Sequence, residues 1–200
     1  MHVHTTTGSP DSSLRVEELL VHAKAAGLDG VCITEHGAPW DRHRFEAFAR
    51  EQEILLLRGT EIMTDVGHVL VYGVEPGAVM EVALLRRVLN NRGGGLMIIA
   101  HPFRRAFDGA QAGGWVNPVH TVEEAIQLPV FQYVDEVEVV NAANTTWENQ
   151  FALRVAHRLG KVGTGGSDAH STNGLGAGCV VLENKVTDLA EFIEEIKAGR

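Results

Sequence analysis

Short apolar runs alternate along this chain with longer stretches whose apolar residues recur at helical spacing. The runs GVCIT (30–34), ILLLRG (54–59), HVLVYGV (68–74), GLMIIA (95–100), VDEVEVV (134–140), KVGTG (161–165) and CVVL (179–182) have strand length and are rich in β-branched residues. Between them the pattern predicts helices over 14–26, 40–52, 79–92, 121–128, 146–159 and 187–198. The first helix is the clearest: Ser12 and Ser13 are available as caps, Glu17 and Glu18 sit in its first turn, Leu19, Leu20 and Ala23 share a face, and Gly27 stops it. This rhythm predicts an α/β domain with mainly parallel strands and helices packed outside, either a doubly wound sheet or a barrel. HVLVYGV follows its predecessor too closely for a crossover helix, so it is expected to pair antiparallel or to be a short insertion. Residues 102–120 hold Gly, Pro and Arg without a period, and a loop of that length is expected to act as a lid.

At 200 residues, 44% hydrophobic and 22% charged, the chain fits one domain over 1–200. No apolar run is long enough to span a bilayer and no basic-then-apolar leader opens the chain, so the expected location is cytoplasmic, with no membrane partner. Cys32 and Cys179 each lie in an apolar run and are expected to be buried thiols. A formal net charge of −9 opposes binding to long nucleic acid, so any affinity for phosphate must be local.

The chemistry falls at the strand ends. Glu35 and His36 follow VCIT, Glu61 follows LLLRGT, His101 follows LMIIA, Asn141 follows VEVV, and Asp168 and His170 follow the run at 161–165. His68 opens the HVLVYG strand. Active sites of α/β barrels and open sheets lie at the carboxyl ends of strands, so separate segments would deliver these groups to one rim. The chain also opens on His2-Val3-His4. In extended backbone the two imidazoles project from one face, although an isolated pair of this kind is more often a frayed terminus or a tag remnant. Ser167-Asp168-Ala169-His170 repeats the two-residue ligand spacing. Imidazole and carboxylate donors without paired cysteines suit Zn, Mn or Fe and exclude a thiolate zinc site. His22, His43 and His157 fall within predicted helices and His120 lies by the loop, so these four are expected to be solvated or satisfied locally. Ser167 is too close in sequence to Asp168 and His170 for a catalytic triad, and Gly93-Gly94-Gly95 precedes a strand where a phosphate loop would follow one. Trp115 and Trp147 are candidates to cap a substrate or simply to pack.

The ordered series HVHT, SPDSSL, TEHG, GTEI, GHVLVYG, AHPFR and GSDAHS, running from residue 2 to about 171, resembles the polymerase and histidinol phosphatase (PHP) family of phosphoesterases. The resemblance implies a distorted (β/α)7 barrel with two or three divalent metal ions at its carboxyl-end rim. It implies a first ion on His2, His4, Glu61 and Asp168, a second on Glu61, His68 and His101, and a third on Asp11, His36 and His170. His2, His4, Glu61, His101, Asp168 and His170 would form the catalytic set, and Arg104 in HPFR would fork onto substrate phosphate. Asp11 alone is equally a helix-capping residue. Two departures from the family pattern stand out. Only Met1 precedes the HxH, which leaves closure of the barrel at its first strand, and the true start of the chain, open. Glu35 replaces the usual Asp, and is expected either to orient a ligand histidine through its other nitrogen or to be an exposed acid.

By counting, three carboxylates and neutral imidazoles around three divalent ions leave about +3, or about +2 with a bridging hydroxide, which draws in phosphate despite the acidic whole. The expected activity is hydrolysis of a small phosphomonoester, a nucleotide or sugar phosphate, by a metal-bridging hydroxide between ions about 3.5 Å apart. Two alternatives stand beside it: a phosphodiesterase or exonuclease on short oligonucleotides, and a non-catalytic metal-bound interaction module.

Overall fold

The computed structural model describes residues 1–37, 42–75, 81–106 and 119–200. In chain order it contains α1 (Val16–Ala25), β1 (Gly30–Glu35), α2 (Arg42–Glu51), β2 (Leu55–Thr64), β3 (Gly67–Tyr72), α3 (Val82–Asn91), β4 (Leu96–Ile99), α4 (Val122–Ala125), a 3-10 turn (Pro129–Gln132), β5 (Glu136–Asn141), α5 (Thr146–Arg158), β6 (Thr164–Gly166) and α6 (Leu189–Ala198). The strands form one curled sheet in the order β1 to β6. The pair β1–β2 is parallel, as are β4–β5 and β5–β6, and a helix lies between the members of each pair. Strand β3 is antiparallel to both neighbours, and it follows β2 through a hairpin whose last pair is Thr64 with Gly67. HVLVYGV is therefore the antiparallel strand that its short connection requires.

The opening segment brings the two edges of the sheet together. Thr34 N donates to Val3 O (2.8 Å) on one side, while Asp168 N donates to His2 O (2.7 Å) and His4 N to Ala169 O (3.0 Å) on the other. Residues 2–4 thus take the seventh place in a ring, with Val3 bridging Ala169 in parallel, and the Tyr72 hydroxyl donates to Met1 O (3.0 Å) to hold the start of the chain. This differs from the expected strand list, because CVVL (179–182) forms no strand. The segment instead crosses β6 so closely that a Cβ on Gly165 would lie 2.5 Å from Cys179 O. Cys179 is consequently exposed, contrary to expectation, while Cys32 is buried inside the ring.

Strands β1, β3, β4 and most of β5 are buried on both faces, which explains their near-continuous apolar runs, whereas β2 alternates between buried and partly open positions. Along β3, Val69 and Val71 pack outward under α3 and α5, while Leu70 and Tyr72 face inward. The inward set meets Phe192 and Ile196 of α6, which close the foot of the ring opposite the rim described below. Under α1 and α2 lie Val3, Val31 and Ile33. Ser12 and Ser13 do not cap α1; its N-cap is Arg15, backed by Glu18. Ser12 Oγ lies 2.9 and 3.1 Å from the carbonyls of His4 and His170, and Ser13 N donates to His170 O (2.9 Å), so these serines tie two distant segments together. The predicted starts of the second and third helices and most of the 102–120 loop, with Trp115, lie outside the described residues. No described helix is long and apolar enough to cross a membrane.

Candidate metal centre

The carboxyl ends of the parallel strands and the start of β3 share one rim, and β3 runs the other way. That is why His68 lies at the start of its strand while His36, His101, Asp168 and His170 follow theirs; Glu61, expected after its strand, instead lies within β2, paired with Leu70, because the strand runs on into the β3 hairpin. At the centre stand four buried side chains, His2, His4, Glu61 and Asp168. His2 Nε2 lies 3.0 Å from His4 Nε2, 3.4 Å from Glu61 Oε2 and 3.3 Å from Asp168 Oδ1. His4 Nε2 is 3.1 Å from Glu61 Oε2 and 3.3 Å from Asp168 Oδ1. Four donors tetrahedrally placed about 2.0–2.1 Å from one ion would be separated by about 3.3 Å, so this quartet encloses a space of the size a zinc-like ion fills.

The far side of each imidazole is anchored. His2 Nδ1 meets Glu138 Oε1 at 3.0 Å, and His4 Nδ1 meets Ser9 Oγ at 3.1 Å. Ser9 Oγ in turn donates to Glu35, which also accepts from the hydroxyl and, at 3.1 Å, the backbone N of Thr5. Glu35 is therefore buried and not an exposed acid, and it reaches His4 at one remove, through Ser9. A proton on each Nδ1 satisfies these acceptors and leaves each Nε2 lone pair facing the centre.

Two further groups adjoin the quartet. Glu61 Oε1 lies 2.9 Å from His68 Nδ1 and 3.1 Å from His101 Nε2. Asp11 Oδ2 lies 3.3 Å from both His36 Nε2 and His170 Nε2, and His36 Nδ1 is 3.3 Å from Glu61 Oε2. Asp11 thus faces two imidazoles and caps no helix. His36 and His170 also stack on either side of His4, with ring centroids 4.3 Å away in each case. All nine residues proposed as ligands from the sequence meet here, with Glu61 touching both the quartet and its neighbours.

Burial works against charge at every member of the quartet, and the mixed pairing overcomes it. Desolvation alone would depress the His2 imidazole, yet Glu138 and Glu61 raise it well above the ordinary histidine value. Burial would likewise raise Glu61, but His2, His101 and His4 hold it well below the ordinary carboxylate range. Asp168 is depressed too, its burial outweighed by His4 and His2.

The backbone is also unusual here. His101 (φ 30°) and Asp168 (φ 51°) are non-glycine residues in the left-handed region, which β-carbons disfavour. Their amides are held by Glu138 Oε2 (2.8 Å) and His2 O (2.7 Å).

Arg104 reaches the rim, but its fork is already engaged. Its Nη2 donates to Asp168 Oδ2 (2.5 Å) and Asn141 Oδ1 (2.8 Å), and its Nε to Asn144 Oδ1 (2.8 Å). Arg105 points to solvent. Trp147 lies on α5, half-exposed, with the Arg154 guanidinium over its ring, so its packing is on the outside of the helix layer. His22, His120 and His157 are exposed. Sequence reasoning did not single out Glu138, Ser9 or Asn144. For Glu138 a signal existed: in VDEVEVV it is an acid within an apolar strand, and such a group needs a partner if buried.

A family model for the PHP domain matches residues 1–156, and one for the PHP-associated region matches residues 146–200. No curated protein matches significantly. Solved structures that share the fold include the following two. One, from Bifidobacterium adolescentis and provisionally named a metal-dependent phosphoesterase, is 19% identical with a TM-score of 0.57, covering 99% of this chain and 94% of its own. The other is an amidohydrolase from Chromobacterium violaceum, with bound sulfate and no metal; it is 16% identical with a TM-score of 0.58, covering 96% of this chain and 95% of its own. With its sheet closed into a distorted barrel and its donors gathered on one rim, this chain belongs to the PHP family of metal-dependent hydrolases.

Proposed function

We propose that the protein hydrolyses a small phosphomonoester, a nucleotide or sugar phosphate, using two or three divalent ions of Zn, Mn or Fe. The observation that carries this reading is the continuous run of donor groups through Glu61, grading from the buried quartet to the partly exposed His36, His68, His101 and His170. Buried donors hold an ion permanently, while partly open ones leave positions for an anionic substrate. His2, His4, Glu61 and Asp168 would hold one ion, Glu61, His68 and His101 a second, and Asp11, His36 and His170 a third. When bound, such ions lower the pKa of water and polarise phosphoryl oxygens. Arg104 is the positive side chain beside them. Its Nε and Nη2 hold Asn141, Asn144 and Asp168, and its Nη1 makes no hydrogen bond among the described residues, leaving two N–H groups for a phosphate oxygen.

The test is phosphate release from a panel of nucleotide and sugar phosphates by protein loaded with each metal in turn, beside bis-p-nitrophenyl phosphate and a short RNA. Turnover of monoesters above both diesters supports the reading. Preference for the RNA replaces it with an exonuclease, and metal loading without turnover of any substrate replaces it with a binding module.

A further inference from the structure

Glu138 is 1% exposed, sits on β5 and is not itself one of the converged donors. Three donors point at its carboxylate. His2 Nδ1 faces Oε1 at 3.0 Å, while the backbone N of His101 (2.8 Å) and Nδ2 of Asn141 (2.9 Å) face Oε2. His2 belongs to the first donor set and His101 to the second. One carboxylate therefore touches a member of each. Asn141 extends the contact further, because its Oδ1 accepts from Arg104, which holds Asp168.

We propose that Glu138 is the positioning residue that couples the first and second metal sites, setting the His2 tautomer through Oε1 and holding the left-handed His101 backbone through Oε2. The proposal rests on the reading of these donors as metal ligands. Its chemical basis is the number of acceptors. A carboxylate presents two acceptor oxygens, and all three of its partners are donors here. An amide of the same shape presents one acceptor and one donor. Glu138→Gln must therefore either turn its NH2 toward His2 Nδ1, moving the imidazole proton to Nε2 and occupying the lone pair aimed at the ion, or turn it against the His101 and Asn141 N–H groups. Either arrangement damages one site directly, and the shared Glu61 carries the damage to the other.

Neighbouring Glu136 provides the control. It is also buried on β5, but its carboxylate accepts from Gly163 N (2.9 Å) and touches no proposed ligand. Zinc binding to the full chain is measured by competition with a chromophoric chelator, with circular dichroism confirming the fold. Replacing a group that orients a metal ligand typically weakens affinity by about 10- to 100-fold, so Glu138→Gln is expected to weaken the two tightest equivalents together by that factor while Glu136→Gln stays within about twofold of wild type. In zinc-loaded wild type, long-range proton–nitrogen spectra are expected to show His2 protonated on Nδ1. That second measurement decides the matter if Glu138→Gln does not fold. Equal zinc affinity in the two variants, loss confined to one equivalent, or His2 bound through Nδ1 would each overturn the coupling role. Wild type that binds no divalent ion would overturn the metal-site reading itself, a distinct result.

Discussion

The rim has two halves built from the same residue types in different surroundings. His2, His4, Glu61 and Asp168 are buried, and three of their four backbones lie at the seam where the opening segment meets the end of β6. Asp11, His36 and His170 are partly open, and Asp11 is 56% exposed at its side chain. Behind the buried half, the imidazoles rest on Glu138 and on the Ser9–Glu35 pair. In the open half, His170 Nδ1 rests on a backbone carbonyl, that of Asp168 (3.0 Å). Orienting partners and exclusion of water make a site rigid and strengthen its electrostatics, so on the proposed reading the buried half would bind an ion tightly and the open half would exchange it.

Removing the group common to both halves should have the largest effect. Glu61→Gln is expected to reduce turnover of the best phosphomonoester by on the order of a thousandfold, as befits loss of several kcal/mol of charge stabilisation, and to lower bound metal by more than one equivalent; assay and elemental analysis check the two together. A smaller effect separates the halves. His2→Asn should lose the tightest metal equivalent, whereas Asp11→Asn should keep it and lose only the weakest, with activity down about tenfold, as expected where an exposed carboxylate is lost. Metal titrations showing the two variants alike would erase the contrast between the halves.

Packing behind the buried half offers a third handle. A Cβ on Gly166 would collide with Glu138 Oε1 and lie 2.5 Å from His2 Cβ. Gly166→Ala is expected to destabilise the fold by about 1–3 kcal/mol, lowering Tm by about 2–4 °C per kcal/mol. An unchanged melting curve would show that this wall yields. The smallest perturbation leaves the sequence unaltered. Cys32 lies inside the ring, where burial pushes its thiol up to about 11, while Cys179 is exposed. Iodoacetamide at neutral pH should label Cys179 within minutes and Cys32 only on unfolding, read by peptide mass spectrometry. Equal labelling would mean that the interior admits solvent.

Much of this was legible before any coordinates. The alternation of short apolar runs with helical stretches located all six strands of the sheet, and GHVLVYG was marked as antiparallel by the shortness of its connection. Position after a strand picked out His36, His101 and His170. Where the reading failed, long-range pairing was the cause. CVVL has the composition of a strand but packs across β6 without forming one, and MHVHT has no strand-like run yet closes the ring. Ser12 and Ser13 look like helix caps, but a tertiary contact with the carbonyl of His170 claims them.

The amino-acid sequence alone determined the repertoire: which segments extend, which coil, and that imidazoles and carboxylates recur at the boundaries between them. Those are local properties, set by side-chain period and donor chemistry within a few residues. The tertiary structure alone decided which segment completes the ring, and that the acid behind His2 is Glu138, a residue 136 positions away. Such pairings depend on register across the whole sheet, and a shift of one residue would turn Glu138 from the interior to the outer face.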